Sequence, residues 1–167
     1  MPEWRFQRIE ISDERSFYGA CDILHDASFD LLRSVYSPEE KKWTGFYERE
    51  YFEDQEAVKE DRRFLFFRHY TFPLVGCVLV LEGLDDLKVK DRARIERYAF
   101  NEVRKTKNGY ALLFCENLTI ELRFTDEPRG TLQDTQFLEK QGRLWSIGRL
   151  LKETEHAHLR RNSGGFW

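Results

Sequence analysis

The stretch from Leu118 to Phe124 constrains the fold more than any other part of the chain. Leu118, Ile120, Leu122 and Phe124 alternate with Thr119, Glu121 and Arg123. A period of two places one set on each face of an extended strand, so this segment reads as a half-exposed β-strand. It closes a longer run from Phe64 in which short apolar segments are divided by turn signals. Phe64–Phe72 is dense in strand formers, and Pro73 interrupts it. Leu74–Leu81 is a continuous apolar run, which suits a strand buried on both faces, and Glu82-Gly83 with Asp85-Asp86 punctuates its end. Asn108-Gly109 marks a hairpin turn before Tyr110–Cys115. Arg92–Lys105 admits two readings: a helix with Ile95, Tyr98, Ala99 and Val103 on one face, or a strand that begins at Tyr98-Ala99-Phe100.

The segments before this run are of the same kind. Trp4–Ile11 alternates and reads as a first strand, broken at Ser12-Asp13-Glu14. Phe17–Asp26 is mixed and gives no clear period. Phe29–Tyr36 and Trp43–Glu48 flank Ser37–Lys42, where Pro38 suits a turn, so a hairpin is expected. Glu48–Arg63 is rich in charge and poor in aliphatics. It reads as a long surface loop or a short exposed helix in which deletion should be tolerated.

After Pro128 and Gly130 the period changes. Thr131-Leu132-Gln133-Asp134 resembles a helix cap, and Gly142 suits the residue after a helix end. A helix is expected over Leu132–Gln141, and a second from Leu144 into the 150s, with Gly148 against it. The expectation is one domain over 1–167: a β-rich body at 1–130, helical elements at 131–158 and a tail at 159–167. The fold class expected is mainly β, an antiparallel β-sandwich or open barrel with short C-terminal helices.

Composition narrows the class of function. The chain has 167 residues, enough for one domain with a real core, of which 34% are charged and 15% aromatic. A single Met beside 14 Phe makes a core of rings and branched side chains. The net charge of −3 argues against a dedicated nucleic-acid binder. Cys21, Cys77 and Cys115 are odd in number and widely spaced, which suggests neither a disulfide framework nor a zinc site. The N-terminus lacks the basic-then-apolar pattern of a signal peptide, and no apolar stretch approaches a membrane span. A cytoplasmic protein with no cofactor is expected.

Few residues suggest chemistry. His25-Asp26 could pair as an imidazole and its orienting carboxylate. Neighbours on a strand point to opposite faces, however, so a turn held by backbone hydrogen bonds is the simpler reading. His156 and His158, with Glu153 and Glu155, lack a third metal ligand at a known spacing, so no metal is expected. The cysteines have no base placed beside them, and core packing accounts for Cys77 and Cys115. No nucleophile elbow, phosphate-binding loop or dinucleotide fingerprint occurs. Phe64–Phe72 with Arg62, Arg63 and Arg68 could stack on a single strand of nucleic acid, although the many acids just before it favour a core strand with a charged edge. Arg160, Arg161, Phe166 and Trp167 at the end could anchor in a partner's pocket.

Leu24-His25-Asp26-Ala27, then Phe29 and Leu32 and a hairpin through Tyr36 to Phe46, resembles the opening of small bacterial β-rich domains of unknown function. An immunity-protein family of toxin systems is among them. Val80-Leu81-Glu82-Gly83-Leu84 through Asn101-Glu102-Val103 is similar to their central meander. The resemblance spans Asp22–Phe124 and leaves out the Glu48–Arg63 insertion and the C-terminal segments. It implies a β-sandwich-like fold and, for the immunity branch, binding of a toxin protein without catalysis. The function expected is therefore a non-enzymatic protein-binding module, immunity-like or a subunit of a bacterial complex. Its expected contacts are His25, Asp26, Arg160, Arg161, Phe166 and Trp167. The alternatives are a small enzyme with His25 at a sheet-edge pocket and single-stranded nucleic-acid binding through Phe64–Phe72.

Overall fold

The computed structural model describes residues 6–53 and 58–147. They are mainly strand: β1 (Arg8–Ile11), β2 (Ser28–Ser37), β3 (Lys42–Glu50), β4 (Lys59–Phe64), β5 (Phe67–Asp91), β6 (Arg97–Thr106), β7 (Gly109–Phe114) and β8 (Leu118–Ile147), with one helix, α1 (Glu14–Ile23). The eight strands form one sheet in the order β1-β8-β7-β6-β2-β3-β5-β4, and β8 also pairs with β5. The strand pairings whose registers are resolved are antiparallel. Among the described residues no helix is long and apolar enough to cross a membrane.

The chain divides into two compact units. The larger comprises Arg5–Arg49 and Val75–Leu138. In it β5 runs antiparallel to β8, as shown by Thr135 Oγ1 donating to the Gly76 carbonyl at 2.9 Å and Thr125 Oγ1 donating to Asp85 at 2.9 Å. At Gly130 the two backbones are so close that a Cβ would stand 1.9 Å from the Val80 carbonyl oxygen, which only glycine permits. Phe29, Trp43, Tyr47, Phe100 and Phe114 fill the core, with Phe29 and Phe114 centroids 4.8 Å apart.

The helix α1 lies largely in the segment whose sequence gives no clear period. Asp13 is its N-cap, accepting from the Ser16 N–H at 2.7 Å, while the Ser16 hydroxyl accepts from the Asp13 N–H at 3.1 Å. This reciprocal cap satisfies donors that a helix start leaves open. Phe17, Ala20, Cys21 and Leu24 then share one buried face at helical spacing. Phe17 meets Tyr110 and Phe124 edge-on at 5.3 and 5.8 Å, so α1 covers β7 and β8.

Several expectations are corrected. Leu132–Gln141 is not a helix but part of β8, and residues 144–147, where a second helix was expected to begin, are strand as well. The reason is tertiary: Leu132 pairs with Ile9 of β1, and burial alternates through Leu132 and Asp134. The rest of that second helix, the remainder of 131–158 and the tail lie outside the described residues. Glu82-Gly83 does not end β5. Gly83 adopts φ 73°, and the buried positions shift from odd (Val75 to Leu81) to even (Leu84) as the strand continues to Asp91. Nor is Leu74–Leu81 equally buried on both faces: Val75, Cys77, Leu79 and Leu81 are buried, and the residues between them only partly. Over Arg92–Lys105 the strand reading holds, as β6.

The smaller unit contains Glu50–Leu74 and continues with residues from Glu139. Here β4 and the start of β5 form a hairpin, with Tyr51, Tyr70 and Phe72 buried. Pro73 does not break β5; its carbonyl accepts from the Tyr51 N–H at 3.0 Å. The Phe72 ring packs on Phe52 at 4.8 Å and closes over Gly142. The expected Glu48–Arg63 loop or helix is strand at both described ends, with residues 54–57 outside the described part. Arg49 and Tyr51 are buried, so tolerance to deletion does not extend to them.

Arg49 owes its burial to an ion pair in the larger unit. Its Nε and Nη2 donate to the two Asp134 carboxylate oxygens at 3.0 and 2.7 Å, and the side chains are only 5% and 2% exposed. The Gln7 N–H also donates to Asp134 at 2.8 Å, so the carboxylate accepts three bonds. Removing one partner strands a buried charge. Asp134→Ala should lower unfolding free energy by about 3–5 kcal/mol, and Arg49→Met with Asp134→Leu should recover much of it, both read from urea titrations.

Asp91 supplies an acid-sensitive contribution. Its carboxylate accepts from the Tyr98 hydroxyl and the Arg94 N–H, and these bonds hold its pKa below the usual 3.8. A depressed folded pKa gives stability that is complete above the unfolded value and lost as pH falls through the folded one. Urea unfolding of Asp91→Asn should therefore show a deficit against the wild type at neutral pH that shrinks below pH 3.8.

Candidate binding surfaces

The His-Asp-Ala run is a turn joining α1 to β2. The His25 N–H donates to the Asp22 carbonyl at 3.3 Å, and the Asp26 N–H to the Phe100 carbonyl at 2.8 Å. The Phe100 N–H returns a bond to Ala27 at 2.9 Å, so the turn is stitched to β6 by its main chain. Asp26 takes φ 64°, a conformation that Asp tolerates better than most residues. His25 Nδ1 stands 3.0 Å from an Asp26 carboxylate oxygen but lacks hydrogen-bond alignment with it. The pair is therefore close without forming an oriented acid–base couple.

Cys115 begins the short 3-10 turn Cys115–Asn117 and is exposed there, not packed in the core as expected; its thiol senses Asp26. Burial, then the Glu116 and Asp26 charges, raise its pKa above the usual 9.0. A thiol so placed stays protonated at neutral pH, the opposite of an activated nucleophile. Cys21 and Cys77 are buried, and burial pushes the Cys21 thiol far up. Among the described residues no group of three His, Cys, Asp or Glu side chains could hold a metal ion.

A second surface lies on β2. Pairing with β3 holds from Ser28 to Asp30, breaks, and resumes at Val35. The bulged segment is ordered by its own bonds. The Leu31 N–H donates to Glu96 at 3.1 Å, the Arg33 N–H to the Asp30 carboxylate at 3.2 Å, and the Ser34 hydroxyl to the Leu31 carbonyl at 2.8 Å. Bulges re-aim side chains. Here Leu32 and Val35 face solvent at 72% and 60% exposure, and the Arg33 guanidinium lies 4.4 Å above the Phe46 ring.

The third surface is the tip of the β4–β5 hairpin in the smaller unit. Phe64 pairs with Phe67 across a two-residue turn, Leu65-Phe66. The sequence reading of a single strand over Phe64–Phe72 is thus corrected: the chain reverses within it. Phe64, Leu65, Phe66 and Phe67 are all exposed, between 45% and 76%, whereas Tyr70 and Phe72 are buried. Arg68 donates to Glu60 at 3.1 Å, and His69 contacts Asp61.

Of the residues predicted to bind a partner, His25 and Asp26 sit together on the turn. Arg160, Arg161, Phe166 and Trp167 lie outside the described residues, as do Glu153, Glu155, His156 and His158. The β2 bulge was not singled out from sequence, because an exposed Leu or Val in a strand pattern looks like one that is buried. Comparisons with protein-family models, curated proteins and solved structures returned no match.

The Cys115 environment sets a reactivity order. Alkylation followed by mass spectrometry should modify Cys115 slowly at neutral pH and faster as pH rises past 9.0, with Cys21 and Cys77 labelled only on unfolding. Rapid neutral-pH labelling of Cys115 would mean that an unrecognised base activates it.

Proposed function

We propose that this chain is a non-enzymatic protein-binding module, immunity-like or a subunit of a bacterial complex, that docks through the bulge of β2. The observation that carries the reading is the pair Leu32 and Val35, exposed on a segment that its own hydrogen bonds hold in shape. Leu32 lies in the bulge and Val35 where pairing with β3 resumes, and both are turned outward. Arg33, preordered on Phe46, adds a residue pair of the kind enriched at binding hot spots. The resemblance of Leu24-His25-Asp26-Ala27 and the following hairpin to immunity domains supports the same class. The unaligned His25–Asp26 pair and the raised Cys115 pKa weigh against the enzyme alternative.

The chain of pairings from β8 through β7, β6, β2, β3 and β5 back to β8 favours a barrel, closed by the β5–β8 pairing, over a two-layer sandwich as the scaffold. Three free thiols suit a reducing cytoplasm. Nucleic-acid binding through Phe64–Phe72 draws less support. Base stacking along a strand needs successive rings in reach, and Tyr70 and Phe72 are buried.

Chain purified from its host at gentle salt should elute as a stoichiometric complex with a second protein. Leu32→Glu with Val35→Glu should weaken that complex by about tenfold or more and leave the melting curve unchanged. A free monomer from the host, or a double variant that keeps the partner, would sink the proposal.

A further inference from the structure

Three features of the β4–β5 hairpin cost stability and return nothing to the fold. Four consecutive large apolar side chains, Phe64 to Phe67, are exposed at its tip. Leu65 holds φ 50°, a region that bulky residues avoid. Behind the tip Arg63 stands directly opposite Arg68, a like-charged cross-strand pair, and Arg62 is next to it on β4. Among the described residues neither Arg62 nor Arg63 has an ion-pair partner.

One environment relieves the exposed apolar surface and the facing arginines together: an apolar layer beneath a negatively charged surface. We infer that the hairpin tip is a membrane-attachment element, which inserts Phe64, Leu65, Phe66 and Phe67 into an anionic lipid surface while Arg62 and Arg63 meet the headgroups and Arg68 stays paired with Glu60. A protein pocket would take one side of the hairpin. Here all four tip positions are apolar, on both sides of the turn, and that matches a medium that is apolar in every direction. The spacing agrees. A strand rises about 3.4 Å per residue, so Arg62 and Arg63 trail the turn by roughly 7–10 Å, the depth to which interfacial elements bury. Weak apolar insertion and a cationic patch are each insufficient alone and act together as two signals.

The proposal goes beyond the protein-binding reading and uses other residues, so the two can fail separately. The test is co-sedimentation of the full chain with vesicles of phosphatidylcholine alone and of phosphatidylcholine mixed with phosphatidylserine. The chain should sediment with the mixed vesicles and release as salt is raised. Arg62→Ala and Arg63→Ala should each cut partitioning by about fivefold. Phe66→Asp should abolish it, and Leu32→Glu with Val35→Glu should leave it unchanged. Phe66 is 76% exposed, so its variant should melt like the wild type, which a thermal scan checks. Failure to sediment with the mixed vesicles, undiminished sedimentation of Phe66→Asp, or binding to a single-stranded oligonucleotide in place of vesicles would each overturn the proposal.

Discussion

The larger unit depends on the buried pair of Arg49 and Asp134. Two charges removed from water are tolerable only when each lone pair and proton finds a partner in good geometry. Here the guanidinium meets both carboxylate oxygens, and the Gln7 N–H takes a further acceptor site. The pair joins the end of β3 to β8. The main chain on either side then follows, because the Asp134 N–H donates back to the Gln7 carbonyl at 2.9 Å and leads β1 into its register against β8. A slip of one residue in β8 would turn Asp134 outward, away from the buried Arg49.

Around that pair the core is aromatic. Rings in tilted and edge-on contact, such as Phe29 with Trp43 and Tyr47, or Phe17 with Tyr110, fill large volumes with few rotamers. Among the described residues the most exposed large apolar side chains fall in two places. Leu32 lies on the β2 bulge and Val35 at its edge, and Phe64 to Phe67 on the hairpin tip. Each group sits where the ladder is interrupted or reversed, which is where a sheet can present side chains without sacrificing its own packing.

Legibility in the sequence followed the range of the interactions. Leu118–Phe124, the Ser37–Lys42 turn and the Asn108-Gly109 hairpin were readable because strand period and turn chemistry are local. The helix α1 carried a local signal that was overlooked: Asp13 as cap, then Phe17, Ala20, Cys21 and Leu24 at helical spacing. Its apolar face is narrow, and polar residues surround it. Leu132–Gln141 misled for the opposite reason. Thr131 to Asp134 has the composition of a cap, but Asp134 is claimed by an arginine 85 residues away, and β1 takes the adjacent backbone. Of the candidate site, the His25 turn was legible as a turn, whereas the β2 bulge was not, since bulging depends on what β3 and the Glu96 carbonyl offer.

By itself the sequence determined that this protein is mainly antiparallel β, where most of its turns fall, and that its core is built of rings. These follow from spacing and composition over a few residues, which any extended or helical chain must obey. The tertiary structure decided that β5 runs unbroken through Pro73 and Gly83, that β8 extends to Ile147, and that Phe64 to Phe67 crown a hairpin instead of entering the core. Those outcomes depend on pairings between distant segments, and a strand's neighbour is not written in its own period.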